Sequence, residues 1–260
     1  MDDGAPAVVC PHKPLILSRC GLCLHKPLIP LVLTKHSLIS LCRMLKEIKA
    51  LFFKELKLEW RQRYGFSGIL LYLAATVFLI YISFIELQPV TWITLFWIIM
   101  LFTAVSAVAK SFIQESRGRF LYYYSIAHPR TVILAKLLYN SIMMIIIGII
   151  GILIYSLMNQ SPVQQVGYFF LVVVLGCVSF ALSFTMMSAI AAKASQNVAL
   201  MAILSLPFIL PVLLLLIKLS QYALLNHIGN FPLQDLLLLL LLDVIMIPLA
   251  IVLFPYLWRD

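Results

Sequence analysis

Of 260 residues, 63% are hydrophobic and 11% are charged, and the mean hydropathy is +1.05. A soluble domain carries about a quarter of its residues as charges to solvate its surface, so this chain reads as a polytopic membrane protein. The formal net charge of +9 does not signal nucleic acid, because the cations sit at the ends of apolar runs and no basic face is interleaved with stacking aromatics.

Residues 1–43 differ from the rest. Pro6, Pro11, Pro14, Pro27 and Pro30 break any helix, and the apolar runs between them are too short to cross a bilayer. A start of Met1-Asp-Asp with no clean apolar core does not fit a signal peptide. The segment is expected to be disordered, or to lie ahead of the true start at Met44, with a basic targeting extension as the alternative. Cys20-Gly-Leu-Cys23 has redox or metal spacing, but no second such pair completes a metal set. Cys177 falls inside an apolar run and reads as a small packing residue.

From Met44 onward the chain is one permease-like domain, 44–260. Leu45, Ile48, Phe52, Leu56 and Trp60 recur at spacings of three and four, with Lys46, Glu47, Lys49, Lys54, Glu55, Lys57 and Arg61 on most of the remainder. That pattern predicts an interfacial amphipathic helix over 45–64, lying flat under the cytoplasmic leaflet. Gly65 and Gly68 are expected to let the chain turn into the membrane.

Six apolar runs follow, at about 66–85, 90–109, 131–157, 166–191, 198–217 and 233–256. Each has the ~20 residues that a hydrocarbon slab requires. They are continuously apolar rather than alternating, which predicts an all-α protein of six transmembrane helices and not a barrel. Cations cluster on alternate connections. Lys46, Lys49, Lys54, Lys57, Arg61 and Arg63 precede the first span; Lys110, Arg117, Arg119, Arg130 and Lys136 flank the second connection; Lys193 and Arg259 mark the fourth and the tail. Lys218 alone falls on the other side. Both termini are therefore expected in the cytoplasm.

The loop 110–130 stands out. Glu115, Arg117, Gly118 and Arg119 precede Phe120-Leu-Tyr-Tyr-Tyr124, and Pro129 ends the stretch before Lys136. Charges backed by aromatics suit a docking surface, because aromatics supply buried area and charges set register. An ordinary cytoplasmic loop with an aromatic interface belt fits the residues equally well. The chain carries no Walker-type phosphate cradle, no HExxH, no GxSxG and no dinucleotide fingerprint, so it is not expected to be an enzyme or to hydrolyse ATP itself.

The order Glu115, Gly118, Pro129, Lys136 between the second and third spans resembles the loop signature of exporter-type ABC permeases. Gln114-Glu-Ser-Arg-Gly-Arg119 with Leu134-Ala-Lys136, and later Leu175-Gly176, Ser188–Ala192 and the Leu204–Pro211 double-proline stretch, resemble the CcmB family, haem exporter protein B, over 44–260. The resemblance implies a transport subunit of a cytochrome c maturation complex in a bacterial inner membrane. It implies a separate cytoplasmic ATPase (CcmA-like) that holds the ATP, a haem-handling membrane protein (CcmC-like), and two permease copies. The substrate it implies is haem, or else the task is release of a haem-loaded chaperone. It also gives Glu115, Arg117, Gly118, Arg119 and Pro129 the role of docking the ATPase. Rival readings are an ABC exporter of a drug or lipid-linked glycan, a passive scaffold for cytochrome assembly, and, third, a membrane-integral enzyme.

Other residues carry weaker expectations. His128 and His227 read as polar loop surface rather than haem ligands; no cofactor or metal site is expected. Pro207 and Pro211 should kink the fifth span, as a hinge or as a static bend. Asp243 lies inside the sixth span, where an ionised carboxylate costs about 2.5 kcal/mol or more, so it should be neutral or paired, with Lys218 as the candidate partner. Trp92 and Trp97 read as interface anchors at a span's outer end. Gly148, Gly151, Ser179, Ser183 and Ser188 should let helices pack closely.

Overall fold

The computed structural model describes residues 44, 46–57, 63–84, 86–113, 129–194, 198–224 and 232–258. These form a helix α1 over 46–57, then α2 (Arg63–Ser83), α3 (Pro89–Ile113), α4 (Pro129–Met158), α5 (Val166–Ala194), α6 (Val198–Leu224) and α7 (Leu233–Trp258), with no strand among them. The last six are long and apolar enough to cross a membrane. The all-α, six-span expectation holds. Residues 1–43 lie outside the described residues.

The spans begin where local chemistry permits. Pro89 opens α3 and Pro129 opens α4, the position in a helix where a missing N–H costs nothing and the fixed φ is already helical. The turn into the membrane is not at the predicted glycines. Gly65 and Gly68 lie inside α2, which starts at Arg63, and the helix predicted over 45–64 is described only over 46–57, with 58–62 outside the described residues. A continuous hydrophobic helix in lipid leaves no unsatisfied backbone, which favours running α2 through both glycines rather than breaking it.

Helix α5 is the centre of the bundle, packing on α3, α4, α6 and α7, while α2 lies against α3 and α4. Its sequence explains the placement. Among lipid-like side chains, helices associate through close packing and occasional hydrogen bonds, and small residues permit the approach. At Gly176, an added Cβ would come within 2.6 Å of Trp97 Cζ3 and 2.9 Å of Leu216 Cδ2, so α3 and α6 both press on that backbone. Gly148 of α4 meets Cys177 in the same way, and at Gly151 a Cβ would stand 3.2 Å from Leu73 Cδ1 of α2. Cys177 is fully buried and packs there, as expected. The outer flanks of α2 and α7 instead expose Leu71, Ile82, Leu237, Val244 and Val252, the side that lipid would cover.

Candidate functional site

The loop singled out by sequence lies largely outside the described residues: Glu115, Arg117, Gly118, Arg119 and His128 all fall in 114–128, and His227 falls in 225–231. What the structure gives is the pair of helices that receive the loop. Ile113 closes α3 and Pro129 opens α4, with Arg130 exposed beside it.

Two turns into α4, the side chain of Lys136 is 1% exposed, and its Nζ stands 3.6 Å from Glu55 Oε1 of α1. A cation taken out of water needs a charged partner and further hydrogen bonds to be tolerated. Here the carboxylate comes from α1, the helix that precedes the first span. Lys54 reaches the same oxygen at 3.5 Å. Beside the ion pair, Phe52 of α1 meets Tyr139 of α4 edge-on, ring centroids 6.2 Å apart. Helix α1 is therefore fastened to α4 by a charge pair and an aromatic contact, just beyond the loop.

One turn further along α4, Asn140 Nδ2 donates to Thr185 Oγ1 of α5 at 2.8 Å, both buried. Ser188 Oγ donates to the Thr185 carbonyl at 2.9 Å. These groups run beside an apolar cluster of Ile133, Leu137, Leu182, Met186, Met246 and Ala250. Away from water, a bonded amide–hydroxyl pair has few alternatives, so it fixes the register of α4 on α5.

Asp243 is the eleventh of the 21 residues of the apolar run Leu233–Leu253, with ten on either side, and is 8% exposed. The Lys218 pairing is not formed: Lys218 is exposed, and no ion pair joins the two among the described residues. Instead Ser179 Oγ lies 2.8 Å from Asp243 Oδ2, and also 3.0 Å from the Leu175 carbonyl within its own helix. The partner is a hydroxyl because α5, not the end of α6, is what α7 packs against at that depth. Pro207 and Pro211 lie inside a continuous α6 and on its exposed side. The carbonyls they free at Ile203 and Pro207 belong to that helix face rather than to an interior pathway.

The two tryptophans are a correction. Trp92 and Trp97 are buried, not placed as anchors at an interface. Trp92 Nε1 donates to the Asn159 carbonyl at 2.9 Å, supplying a partner to the end of α4, and Tyr155 Oη donates to the Trp92 carbonyl at 3.0 Å. Trp97 Nε1 donates to Ser220 Oγ of α6 at 2.8 Å. A buried indole N–H needs an acceptor, and helix C-termini have carbonyls to offer. Nearby, Gln164 and Gln165 N–H donate to the Ala223 carbonyl at 3.3 and 3.2 Å, tying the α4–α5 connection to the end of α6.

Sequence reasoning did not find the Glu55–Lys136 pair or the Asn140–Thr185 bond. The available signal was a lysine and an asparagine four residues apart near the start of a span, on the same helix face.

A family model described as CcmB protein matches residues 46–254. No curated protein and no solved structure matches the chain.

Proposed function

This chain is a member of the CcmB family, and on that premise we propose that it is the permease subunit of an ATP-driven exporter serving cytochrome c maturation. It is a multi-pass membrane component; the motor is a separate cytoplasmic ATPase that grips the loop 110–130 through Glu115, Arg117 and Arg119, with Gly118 and Pro129 shaping the backbone. The setting is a bacterial inner membrane with both termini cytoplasmic, and a haem-handling membrane protein and a second permease copy complete the complex. The work performed is export of haem or release of a haem-loaded chaperone, both of which draw on the same coupling.

The observation that supports this reading is the ion pair between buried Lys136 and half-buried Glu55, 3.6 Å apart. The helix that leaves the loop is bound to the helix that precedes the first span. A force applied at the loop then moves α1 and α4 together instead of being lost in a single flexible strand of chain. Partner chains couple through such two-sided attachments because a packed junction transmits displacement with little compliance.

The test is charge reversal at the loop, Glu115→Arg with Arg119→Glu. Loss of ATPase copurification with normal membrane insertion is the expected result. Wild-type copurification overturns the docking assignment.

A further inference from the structure

The helix over 46–57 is turned differently from the way its sequence pattern alone suggests, and the turn assigns it a ligand. At about 100° per residue, Ile48, Leu51, Phe52 and Glu55 fall on one side and are half-buried against the bundle, with Glu55 on Lys136 and Phe52 on Tyr139. The opposite arc carries Lys46, Lys49, Ala50, Phe53, Leu56 and Lys57, all exposed. Phe53 is 55% and Leu56 37% exposed.

The arrangement separates charge by sign. Both acids of this helix, Glu47 and Glu55, lie on the half-buried side, and the outward arc holds three lysines and no carboxylate. Two large apolar side chains sit among those lysines. A stripe of cations interleaved with a phenylalanine and a leucine fits a surface that is anionic at headgroup level and apolar just beneath it: the rings enter the acyl boundary, and the ammonium groups reach up to phosphates.

We propose that this face of the helix is a binding surface for anionic phospholipid, selecting phosphatidylglycerol-like headgroups over zwitterionic ones. Lys46, Lys49 and Lys57 are the headgroup contacts, and Phe53 with Leu56 is the inserted wedge. The Glu55–Lys136 pair holds the face outward, because it removes the carboxylate that would otherwise compete with lipid phosphate for the lysines. The surface does not depend on the ATPase or on the substrate, so it stands or falls apart from the exporter reading.

The test uses the full chain in nanodiscs containing equal parts phosphatidylcholine and phosphatidylglycerol, with retained lipid counted by native mass spectrometry after stripping with detergent. A lysine near an anionic surface contributes about fivefold to partition. The variant Lys46→Gln/Lys49→Gln/Lys57→Gln should therefore lower the retained glycerol-to-choline ratio by roughly tenfold or more, and raising salt should lower the wild-type ratio in the same direction. The variant Lys46→Arg/Lys49→Arg/Lys57→Arg should keep the wild-type ratio, which covers the case in which the glutamine variant fails to assemble. An unchanged ratio in the glutamine variant, or a wild-type ratio insensitive to salt, overturns the proposal. So does a face that shows no lipid preference yet becomes shielded from lysine-reactive reagent when the ATPase is added, since its occupant would then be protein.

Discussion

Placing an alanine at Gly176 drives a methyl group into the six-membered ring of Trp97. The built Cβ stands 2.6 Å from Trp97 Cζ3 and 2.9 Å from Leu216 Cδ2, both far inside ordinary carbon–carbon contact. Relief by moving the indole is blocked on three sides: its Nε1 is bonded to Ser220 Oγ at 2.8 Å, and Phe96 and Phe180 lie with ring centroids 5.4 and 5.9 Å away. Overpacking of this kind costs about 1–3 kcal/mol, so Gly176→Ala should destabilise by that amount. Trp97→Phe shortens the ring and forfeits the bond to Ser220, at about 1–2 kcal/mol by itself. Combining them lets the methyl occupy the vacated space, so the double variant should be more stable than the sum of the singles by about 1 kcal/mol or more. Gly68→Ala is the control, because nothing lies within 4 Å of its Cβ and alanine gains up to about 1 kcal/mol in a helix. Unfolding from mixed micelles by SDS titration, followed by circular dichroism, measures all four. Additivity of the two core substitutions within about 0.5 kcal/mol would refute the argument that one ring fixes the α3–α5 spacing.

Two further outcomes follow from the buried polar contacts. Asp243→Asn keeps a hydrogen-bonding group of the same shape opposite Ser179 and should assemble normally, whereas Ser179→Ala leaves the acid facing an apolar wall and should cost about 1–3 kcal/mol; equal melting temperatures for the two variants in nanodiscs would contradict this. Phe52→Cys with Tyr139→Cys should be bridged by a short bis-methanethiosulfonate linker, because the two rings are in contact and their replacement leaves a gap longer than a direct disulfide spans. Adding Glu55→Gln should reduce the cross-linked fraction severalfold, and an unchanged yield on non-reducing gels would show that the ion pair does not hold α1 to α4.

The six spans could be read directly because lipid imposes a length and a composition on every crossing helix. The observed α4 and α5 extend at most three residues beyond the predicted ends. Interior order was less visible. Trp92 and Trp97 have the sequence position of interface anchors, and only the tertiary contacts of α3 with α4 and α6 turn them inward, where the Asn159 carbonyl and Ser220 supply acceptors. The pairing of Asp243 differs from expectation for a related reason: opposite charge points to Lys218, whereas a hydroxyl on the central helix is within reach. The stripe Ile48–Phe52 was recognised as apolar, but its partner turned out to be the bundle, leaving Phe53 and Leu56 for the outside. Sequence periodicity says which residues share a helix face. It does not say which of two apolar environments that face meets.

Taken in order, the buried polar contacts describe a route. Glu55 on α1 holds Lys136 on α4; Asn140, one turn along, holds Thr185 on α5; Ser179, further along α5, holds Asp243 on α7. Each link lies deeper in the bundle than the one before, and each joins a different pair of helices. At the opposite end the links are indole and phenol groups, Trp92 to Asn159 and Tyr155 to Trp92 between α3 and α4, and Trp97 to Ser220 between α3 and α6. Apolar side chains can slide past one another in a hydrocarbon setting at little cost, because lipid tails are an equivalent neighbour. A polar pair cannot, since separating it leaves an unsatisfied group with no water to replace the partner. Displacement of α4 at the loop end must therefore carry α5 and then α7 with it.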